Sequence, residues 1–348
     1  MAKTIQDLFD IEWPLIQAPM AGVQTSALAI AVINAGGLGS LPCAMLSIDT
    51  LRAEVAAIRA QTKRPYNLNF FCHVPPQPDA AREARWRAVL APFHAEFGID
   101  PASIAAGPGR APFSHEVADA LDEFAPPVVS FHFGLPPPDL LARVRRWGAK
   151  VLASATTVEE ARWLAERGVD AVIAQGAEAG GHRGMFLGDD IATQIGLFAL
   201  LPQVQHAVDV PVIAAGGIAD AQGVAAALAL GAAGVQLGTA YLLCPEATTS
   251  APHRAALASD AARQTALTNL FTGRPARGIV NRVMRELGPM STLAPEFPLA
   301  TGAMAPLRAK AEAQGSGDFS PLWSGQNPSG CRAVPAAQLT RELCALLK

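Results

Sequence analysis

Residues 211 to 242 read PVIAAGGIADAQGVAAALALGAAGVQLGTAYL and contain one complete strand–helix–strand unit. Two apolar runs, 211–217 and 234–242, each contain glycine, and an alanine-rich helical pattern at 221–231 separates them. The apolar runs are continuous rather than alternating, which is typical of strands buried on both faces of a parallel sheet. This stretch therefore predicts two parallel strands joined by a helix.

The middle of this stretch, residues 224–244, carries no charge and is long enough to cross a bilayer. Gly231, Gly234 and Gly238 interrupt it, and Gln236 lies within it. We interpret it as a buried helix, a glycine turn and a buried strand. We therefore expect no membrane association.

The same strand–helix pattern recurs along the chain. The other strand candidates lie at 14–20, 37–42, 66–71, 128–134, 150–156 and 170–176. A helix is predicted at 157–168, where Thr157 and Glu160 have capping-box spacing and a glycine ends the pattern. Eight such units favour a (β/α)₈ barrel, but a doubly wound open sheet has the same local pattern, so repetition alone leaves both open.

The predicted barrel occupies residues 1–245 and includes a long excursion at 73–127 after the third strand. Residues 246–330 are too many for a closing helix, and we interpret them as a lid or small substrate region. Residues 331–348 are expected to form a helix that packs back on the barrel.

Composition limits the class of protein. The chain has 348 residues, a net charge of -3, and no basic stretch interleaved with aromatics, which argues against a nucleic-acid partner. Its first residues lack a signal-peptide apolar core, and its five cysteines have no ligand spacing. We expect a cytoplasmic protein whose cysteines are small buried hydrophobes, and the sequence does not specify an oligomeric state.

Polar and glycine-rich residues repeatedly follow the predicted strands. In a barrel, the loops at the carboxyl ends of the strands build the active site. Residues of this kind are Ala18, Pro19 and Met20 after the first strand, Asn69 after the third, His132 after the fourth and Gln175 after the sixth. We expect them to meet at one end of the barrel.

The last two strands end in the most specific pattern. Gly216 and Gly217 follow the seventh strand, and Gly238 and Thr239 follow the eighth. Glycines let backbone N–H groups approach an anion, and barrels commonly bind phosphate at these two loops. The alternative is that the glycines serve only tight turns. Without GxGxxG, a P-loop or HExxH, the loops favour a monophosphate such as that of flavin mononucleotide (FMN).

The amides of Asn69 and Gln175 are candidates for hydrogen bonds with the polar edge of an isoalloxazine ring, or else they tie loop backbone. His182 lies in GAEAGGHRG (176–184), where its glycine neighbours leave the ring accessible and its ordinary pKa suits a proton acceptor. His132 is equally consistent with a site role and with a core role.

The residues beside His182 receive simpler interpretations: Glu178 orients the loop and Arg183 is solvated. The other histidines are interpreted as surface or satisfied side chains: His73, His94, His115, His206 and His253. No metal ligands are predicted.

Several motifs together resemble the nitronate monooxygenase family, formerly called 2-nitropropane dioxygenases. They occur in the family's order: PLIQAPMAG (14–22), NLNFF (67–71), DAVIAQGAEAGGHRG (170–184), PVIAAGGIAD (211–220) and GVQLGTAYLLCPEA (234–247). The stretch TALTNLFTGRPARGIVN (265–281) is also similar to the family's downstream segment.

The resemblance implies an FMN-dependent barrel enzyme that oxidises alkyl nitronates with O₂ to a carbonyl compound and nitrite. It implies FMN contacts from Asn69, Gln175, Gly180, Gly217 and the stretch Gln236–Thr239, and it makes His182 catalytic. With the loop analysis, the expected cofactor-binding residues are Ala18, Pro19, Met20, Asn69, Gln175, Gly180, Gly181, Gly216, Gly217, Gln236, Leu237, Gly238 and Thr239. His132 is expected to contact substrate.

One stretch departs from the family pattern. Where the family carries tyrosines, this chain reads PLATGAMAP with Thr301, so its substrate pocket is expected to differ. Two alternatives remain: an FMN-dependent NAD(P)H oxidoreductase acting on quinones or enoyl thioesters, and a non-catalytic barrel that binds FMN or a phosphorylated metabolite.

Overall fold

A computed structural model describes residues 4–104 and 109–347 of the chain. Residues 105–108 of the predicted excursion therefore lie outside the described residues, as do residues 1–3 and 348. The strands are β1 Leu15–Gln17, β2 Ser40–Pro42, β3 Asn67–Phe71, β4 Val128–His132, β5 Lys150–Ala155, β6 Ala171–Gln175, β7 Gly181–His182, β8 Val212–Ala215, β9 Gly234–Leu237, β10 Thr265–Thr268 and β11 Ala276–Ile279.

The helices cover the outside of the sheet and build the insertions. They are α1 Ile5–Phe9, α2 Ser26–Asn34, α3 Ile48–Gln61, α4 Ala80–Glu96, α5 His115–Leu121, α6 Pro138–Arg146, α7 Val158–Glu166, α8 Leu197–Ala207, α9 Ala221–Ala229, α10 Ala251–Leu257, α11 Arg282–Leu287, α12 Thr301–Ala313 and α13 Ala336–Leu343.

Eight parallel strands of the described chain form one sheet in the order β1-β9-β8-β6-β5-β4-β3-β2. A parallel bridge between Ile16 and Leu38 joins its two edges, and the Gln17 amide donates to the Leu38 carbonyl at 2.9 Å. The sheet therefore curls into a barrel rather than staying open. This confirms the predicted (β/α)₈ fold.

The uncharged stretch at 224–244 contains α9, the strand β9 and a short 3₁₀ turn. No helix within the described ranges is both long and apolar enough to cross a membrane. The five cysteines are free, and Cys72 and Cys331 are only half-buried, so the prediction of buried hydrophobes is wrong for these two.

The capping box predicted at Thr157 is half formed. The Thr157 hydroxyl accepts from the Glu160 amide at 3.2 Å, as predicted. The Glu160 carboxylate instead accepts from the Thr156 amide and from the Phe186 amide, each at 2.6 Å. Glu160 therefore ties the start of α7 to the segment that follows β7, and so helps to position the loop that carries His182.

The excursion after β3 and the region after β9 share a second apolar core. Trp86 and Phe93 of α4 pack with Met304 of α12 and with Phe319 in this cluster. The two segments that we predicted separately therefore form one cap over the carboxyl end of the barrel. The last helix, α13, packs against α2 and α9 and so lies in the outer helical ring.

Candidate active site

One pocket opens at the carboxyl ends of the barrel strands. All of the predicted cofactor-binding residues line it, together with the two predicted site histidines: Ala18, Pro19, Met20, Asn69, His132, Gln175, Gly180, Gly181, His182, Gly216, Gly217, Gln236, Leu237, Gly238 and Thr239. The structure thus brings together residues from seven segments of the sequence. The described residues that line the pocket include no aspartate or glutamate, and Arg110 is the one arginine among them.

A neighbouring strand and two side chains hold the backbone of His182 in place. Its strand β7 pairs with β11, opposite Ala276, in a small antiparallel sheet. The side chains of Gln175 and His132 both reach the His182 carbonyl oxygen, at 3.0 and 3.3 Å. The Gly184 amide donates to the Gln175 side-chain oxygen at 2.8 Å. The loop is therefore fixed on both sides of the histidine.

The electrostatic environment of His182 favours its neutral form. Burial lowers the pKa of His182 well below its ordinary value, and the positive charges of Arg110 and Arg274 together with His132 and His73 lower it further. A neutral imidazole at neutral pH has a free lone pair that accepts a proton. His182 is therefore ready to act as a base, or to donate through its N–H to an anion.

His132 supports this loop. Its Nε2 lies 3.3 Å from the His182 carbonyl, which can only accept, so Nε2 carries the hydrogen and Nδ1 accepts from the Ser154 hydroxyl at 3.1 Å. Burial, as the largest cause, lowers the pKa of His132 to about 3. Both ring nitrogens thus have protein partners. The predicted substrate contact of His132 stays a prediction.

The side-chain amides of Asn69 and Gln175 differ in the hydrogen bonds that they make within the protein. Both polar atoms of Gln175 bond the backbone of residues 182 and 184. The Asn69 amide nitrogen donates to the Ser130 hydroxyl at 2.9 Å. Gln175 therefore ties loop backbone, which is the second of the two roles considered for it, while its side chain still lines the pocket.

The glycines after β8 adopt a backbone conformation that favours glycine, which fits both of the roles considered for them. Gly216 and Gly217 have φ of 117° and 72°, which side chains rarely adopt. On the adjacent strand, the Gln236 side chain lines the pocket, and its buried oxygen has no hydrogen-bond partner among the residues that the structure describes. A buried acceptor without a donor costs free energy, so this oxygen fits a ligand that donates an N–H.

A segment near the C-terminus, residues 323–327, closes one side of the pocket, and the sequence analysis missed it. The Gly325 amide donates to the Thr239 hydroxyl at 2.9 Å, and the Asn327 amide donates to the Gly217 carbonyl at 3.0 Å. A Cβ on Gly180 would lie 2.6 Å from the Gly325 nitrogen. The glycines and asparagine of SGQNPSG (324–330) are the signal that could have indicated it.

Arg183 is not solvated, so that prediction is wrong. It is fully buried, and its guanidinium donates to the carbonyls of Gly176 and Gln175, each at 2.7 Å. The prediction that Glu178 orients the loop is confirmed, because its carboxylate accepts from the Leu197 amide at 2.9 Å. The hydrogen bonds of Arg183 and Glu178 therefore fix the turn that follows β6.

Two histidines near the pocket were also missed. His73 is buried with Nδ1 unpartnered, and its ring centroid lies 4.8 Å from that of Phe297. Burial, as the largest cause, lowers the pKa of His73 to about 4. His253 lines the pocket and bonds the Trp323 carbonyl at 3.1 Å. His73 was expected to be a surface or satisfied side chain, which is wrong because it is buried and its Nδ1 has no hydrogen-bond partner among the described residues. The same expectation holds for His253, whose ring is satisfied by the Trp323 carbonyl.

Arg110 supplies a positive charge at the pocket from the excursion after β3. Its guanidinium donates to the Thr301 hydroxyl at 3.1 Å and lies 5.8 Å from the centroid of the Phe297 ring. Burial lowers the pKa of Arg110, and the neighbouring Arg308 lowers it further. None of the ion pairs in the described part of the chain involves Arg110. Thr301, the departure from the family pattern, thus supports this cation.

A closed parallel barrel that gathers glycine loops, a histidine with a lowered pKa and an arginine without an acidic partner among the described residues at the carboxyl ends of its strands defines a (β/α)₈-barrel enzyme. The residues described by the structure contain no cluster of three or more histidine, cysteine or acidic side chains able to hold a metal.

Comparison with known proteins identifies the family. The family model for nitronate monooxygenase matches residues 2–345. The chain is 43% identical to nitronate monooxygenases of Paraburkholderia phytofirmans, over 99% of this chain and 95% of that one, and of Pseudomonas aeruginosa, over 100% of both. A crystal structure of nitroalkane oxidase from Streptomyces ansochromogenes superimposes with a TM-score of 0.89 at 40% identity, covering 99% of this chain and 97% of that chain. The chain belongs to the nitronate monooxygenase family, which confirms the resemblance of its motifs.

Proposed function

We propose that this chain oxidises alkyl nitronates with O₂ to a carbonyl compound and nitrite, using FMN bound in the pocket. The observation that carries the proposal is His182, a neutral imidazole in a pocket lined by no described carboxylate and with a cation at its edge. A nitronate is an anion, so the positive charge of Arg110 attracts it, and no described carboxylate lining the pocket repels it. The family to which the chain belongs supports the same reaction.

The residues fit FMN. The glycines after β8 and β9 line the pocket and suit its phosphate, because glycine lets backbone N–H groups approach an anion, and the buried Gln236 oxygen suits an N–H of its ring. Asn69 and Gly180 line the same pocket. When bound, FMN supplies the electron transfer with O₂, and the protein supplies position and charge.

The role of His182 depends on the form of the substrate. A nitronate is already deprotonated, so His182 needs only to orient it. A neutral nitroalkane has an acidic C–H, and a positioned histidine can remove that proton.

We also place the enzyme in a reducing compartment, the cytoplasm, because all five cysteines are free.

The test of the proposal is product formation by the purified flavin-loaded protein. Propyl-2-nitronate with O₂ should give acetone and nitrite, and NADH should leave the flavin oxidised. NADH-dependent reduction of a quinone without nitrite from the nitronate would instead identify an NAD(P)H oxidoreductase. Flavin binding without either activity would identify a non-catalytic barrel.

Arg110 is expected to set the affinity for the anionic substrate. Arg110→Met should raise KM for propyl-2-nitronate by about 10- to 100-fold, because a hydrogen bond to a charged group contributes roughly 1.5–3 kcal/mol. Flavin content should not change. Initial rates across nitronate concentrations measure the effect, and Arg110→Lys, which keeps the charge, should show a smaller one. An unchanged KM in Arg110→Met would contradict this assignment.

The pH dependence with a neutral nitroalkane should report His182. The base must be neutral, so kcat/KM falls as the pH drops through its pKa, and this pKa lies below the ordinary value. The charged and titratable groups that lower it are Arg110, His132, Arg274 and His73. We expect kcat/KM to stay flat from pH 8 down to about pH 6.5 and to fall only in more acidic buffer. An acid limb centred at or above about 6.5 would contradict this picture.

A further inference from the structure

The ring of His182 has one nitrogen bonded and one open. Nε2 lies 3.0 Å from the hydroxyl oxygen of Thr272. Nδ1 makes no hydrogen bond to any residue in the ranges that the structure describes, and the ring lines the pocket. The proton position on this ring therefore depends on the direction of the hydrogen bond to Thr272.

The surroundings of Thr272 offer its hydroxyl a second acceptor, the carbonyl of Arg274. Its hydroxyl has one hydrogen, and the Arg274 carbonyl, which can only accept, lies 3.4 Å away. No other described donor bonds the Arg274 carbonyl, and Thr272 is 2% exposed. If the hydroxyl donates to this carbonyl, its oxygen must accept from His182, so Nε2 carries the hydrogen.

The turn that presents Thr272 is firmly held. The Gly273 amide donates to the Asn269 carbonyl at 2.8 Å, and Gly273 has a φ of 91°. A Cβ on Gly273 would lie 2.8 Å from the carbonyl carbon of Glu296, so the turn packs closely against that backbone. The hydroxyl is therefore fixed in place relative to the His182 ring.

We propose that Thr272 is a positioning residue that holds His182 in the tautomer with hydrogen on Nε2 and a free lone pair on Nδ1. This deepens the proposed function and rests on it, because it equips the site to begin from a neutral nitroalkane. The C–H bond breaks, its proton moves to Nδ1, and its electron pair forms the C=N bond of the nitronate while the nitro oxygens take up the negative charge. The resulting imidazolium keeps its Nε2 hydrogen bond to Thr272.

Comparing two substrates distinguishes a positioning role of Thr272 from a purely structural one. Thr272→Val removes the hydroxyl and nearly keeps the shape. We expect kcat/KM for 2-nitropropane to fall about tenfold, the loss of a hydrogen bond of about 1–1.5 kcal/mol, and kcat/KM for propyl-2-nitronate to change less than about twofold. Thr272→Ser should restore the first rate. The matched control is Thr268→Val, a fully buried threonine of β10 that does not bond His182.

The tautomer can be observed without turnover. In the flavin-loaded protein with ¹⁵N-labelled histidine, ¹⁵N NMR should show His182 with a protonated Nε2 and a bare Nδ1, and His182→Asn assigns the signal. Thr272→Val should show a mixture of tautomers, and Thr272→Ser the original form. A wild-type ring protonated on Nδ1, or equal losses with both substrates in Thr272→Val, would overturn the proposal. If the wild type oxidises neither substrate, the proposed function fails, while the NMR signal still decides the tautomer.

Discussion

His182→Asn is expected to lower kcat/KM for 2-nitropropane by about 10²- to 10⁴-fold, the usual contribution of a general base. Asparagine keeps a hydrogen-bonding group near Thr272 but has no lone pair able to accept the C–H proton. With propyl-2-nitronate the loss should stay below about tenfold, because that substrate is already deprotonated. The two substrates thus separate proton removal from the later oxidation.

Steady-state rates of nitrite release with both substrates measure this difference. Flavin absorbance should be retained, because the His182 side chain bonds Thr272 and no other described residue. His115→Asn serves as the control, since His115 is exposed, pairs with Asp139 and is not among the described residues that line the pocket. A variant that kept nitroalkane activity within about tenfold of the wild type would show that another group is the base.

Among the substitutions proposed for this chain, Arg183→Met should lower the free energy of unfolding the most. The change removes the guanidinium donors of the buried Gln175 carbonyl and of the Gln194 side-chain oxygen, and it leaves the buried Gly176 carbonyl with the Ala179 amide as its donor. Burial lowers the pKa of Arg183 to about 10, so it remains charged at neutral pH. We expect the free energy of unfolding to fall by about 3–5 kcal/mol, because each unsatisfied buried acceptor costs roughly 1–3 kcal/mol.

Urea denaturation of the full chain checks this value, with bound flavin as a second readout because the affected turn lines the pocket. Arg162→Met is the matched control, since Arg162 is exposed on α7 and should change stability by no more than about 0.5 kcal/mol. Equal midpoints for Arg183→Met and Arg162→Met would mean that the buried guanidinium does not hold the turn.

The barrel and the pocket were predictable because both depend on local sequence. Continuous apolar runs marked the strands, and glycines or amides marked the strand ends, so residues such as Asn69, Gly217 and Gly238 could be assigned to one end of the barrel. The geometry of a parallel barrel then places all strand ends together. The repeated pattern alone left a barrel and an open sheet both possible, and the resemblance to the family favoured the barrel.

The parts that were missed depend on contacts between distant segments. Thr272 reaches His182 across 90 residues, and Gly325 reaches Thr239 across 86. Arg183 follows glycines in a polar loop, a pattern that suggests solvent, yet the turn folds over its side chain. His73 is buried only because the cap brings Phe297 against it. Such contacts leave no periodic pattern in the sequence.

The central claim is that this pocket holds a flavin that accepts electrons from a nitronate. The most direct test is an anaerobic absorbance spectrum of the purified protein, before and after propyl-2-nitronate and, separately, NADH. The claim predicts oxidised flavin absorbance at the start, its loss with the nitronate and no change with NADH. A protein without flavin absorbance, or a flavin that responds to NADH and not to the nitronate, would contradict it.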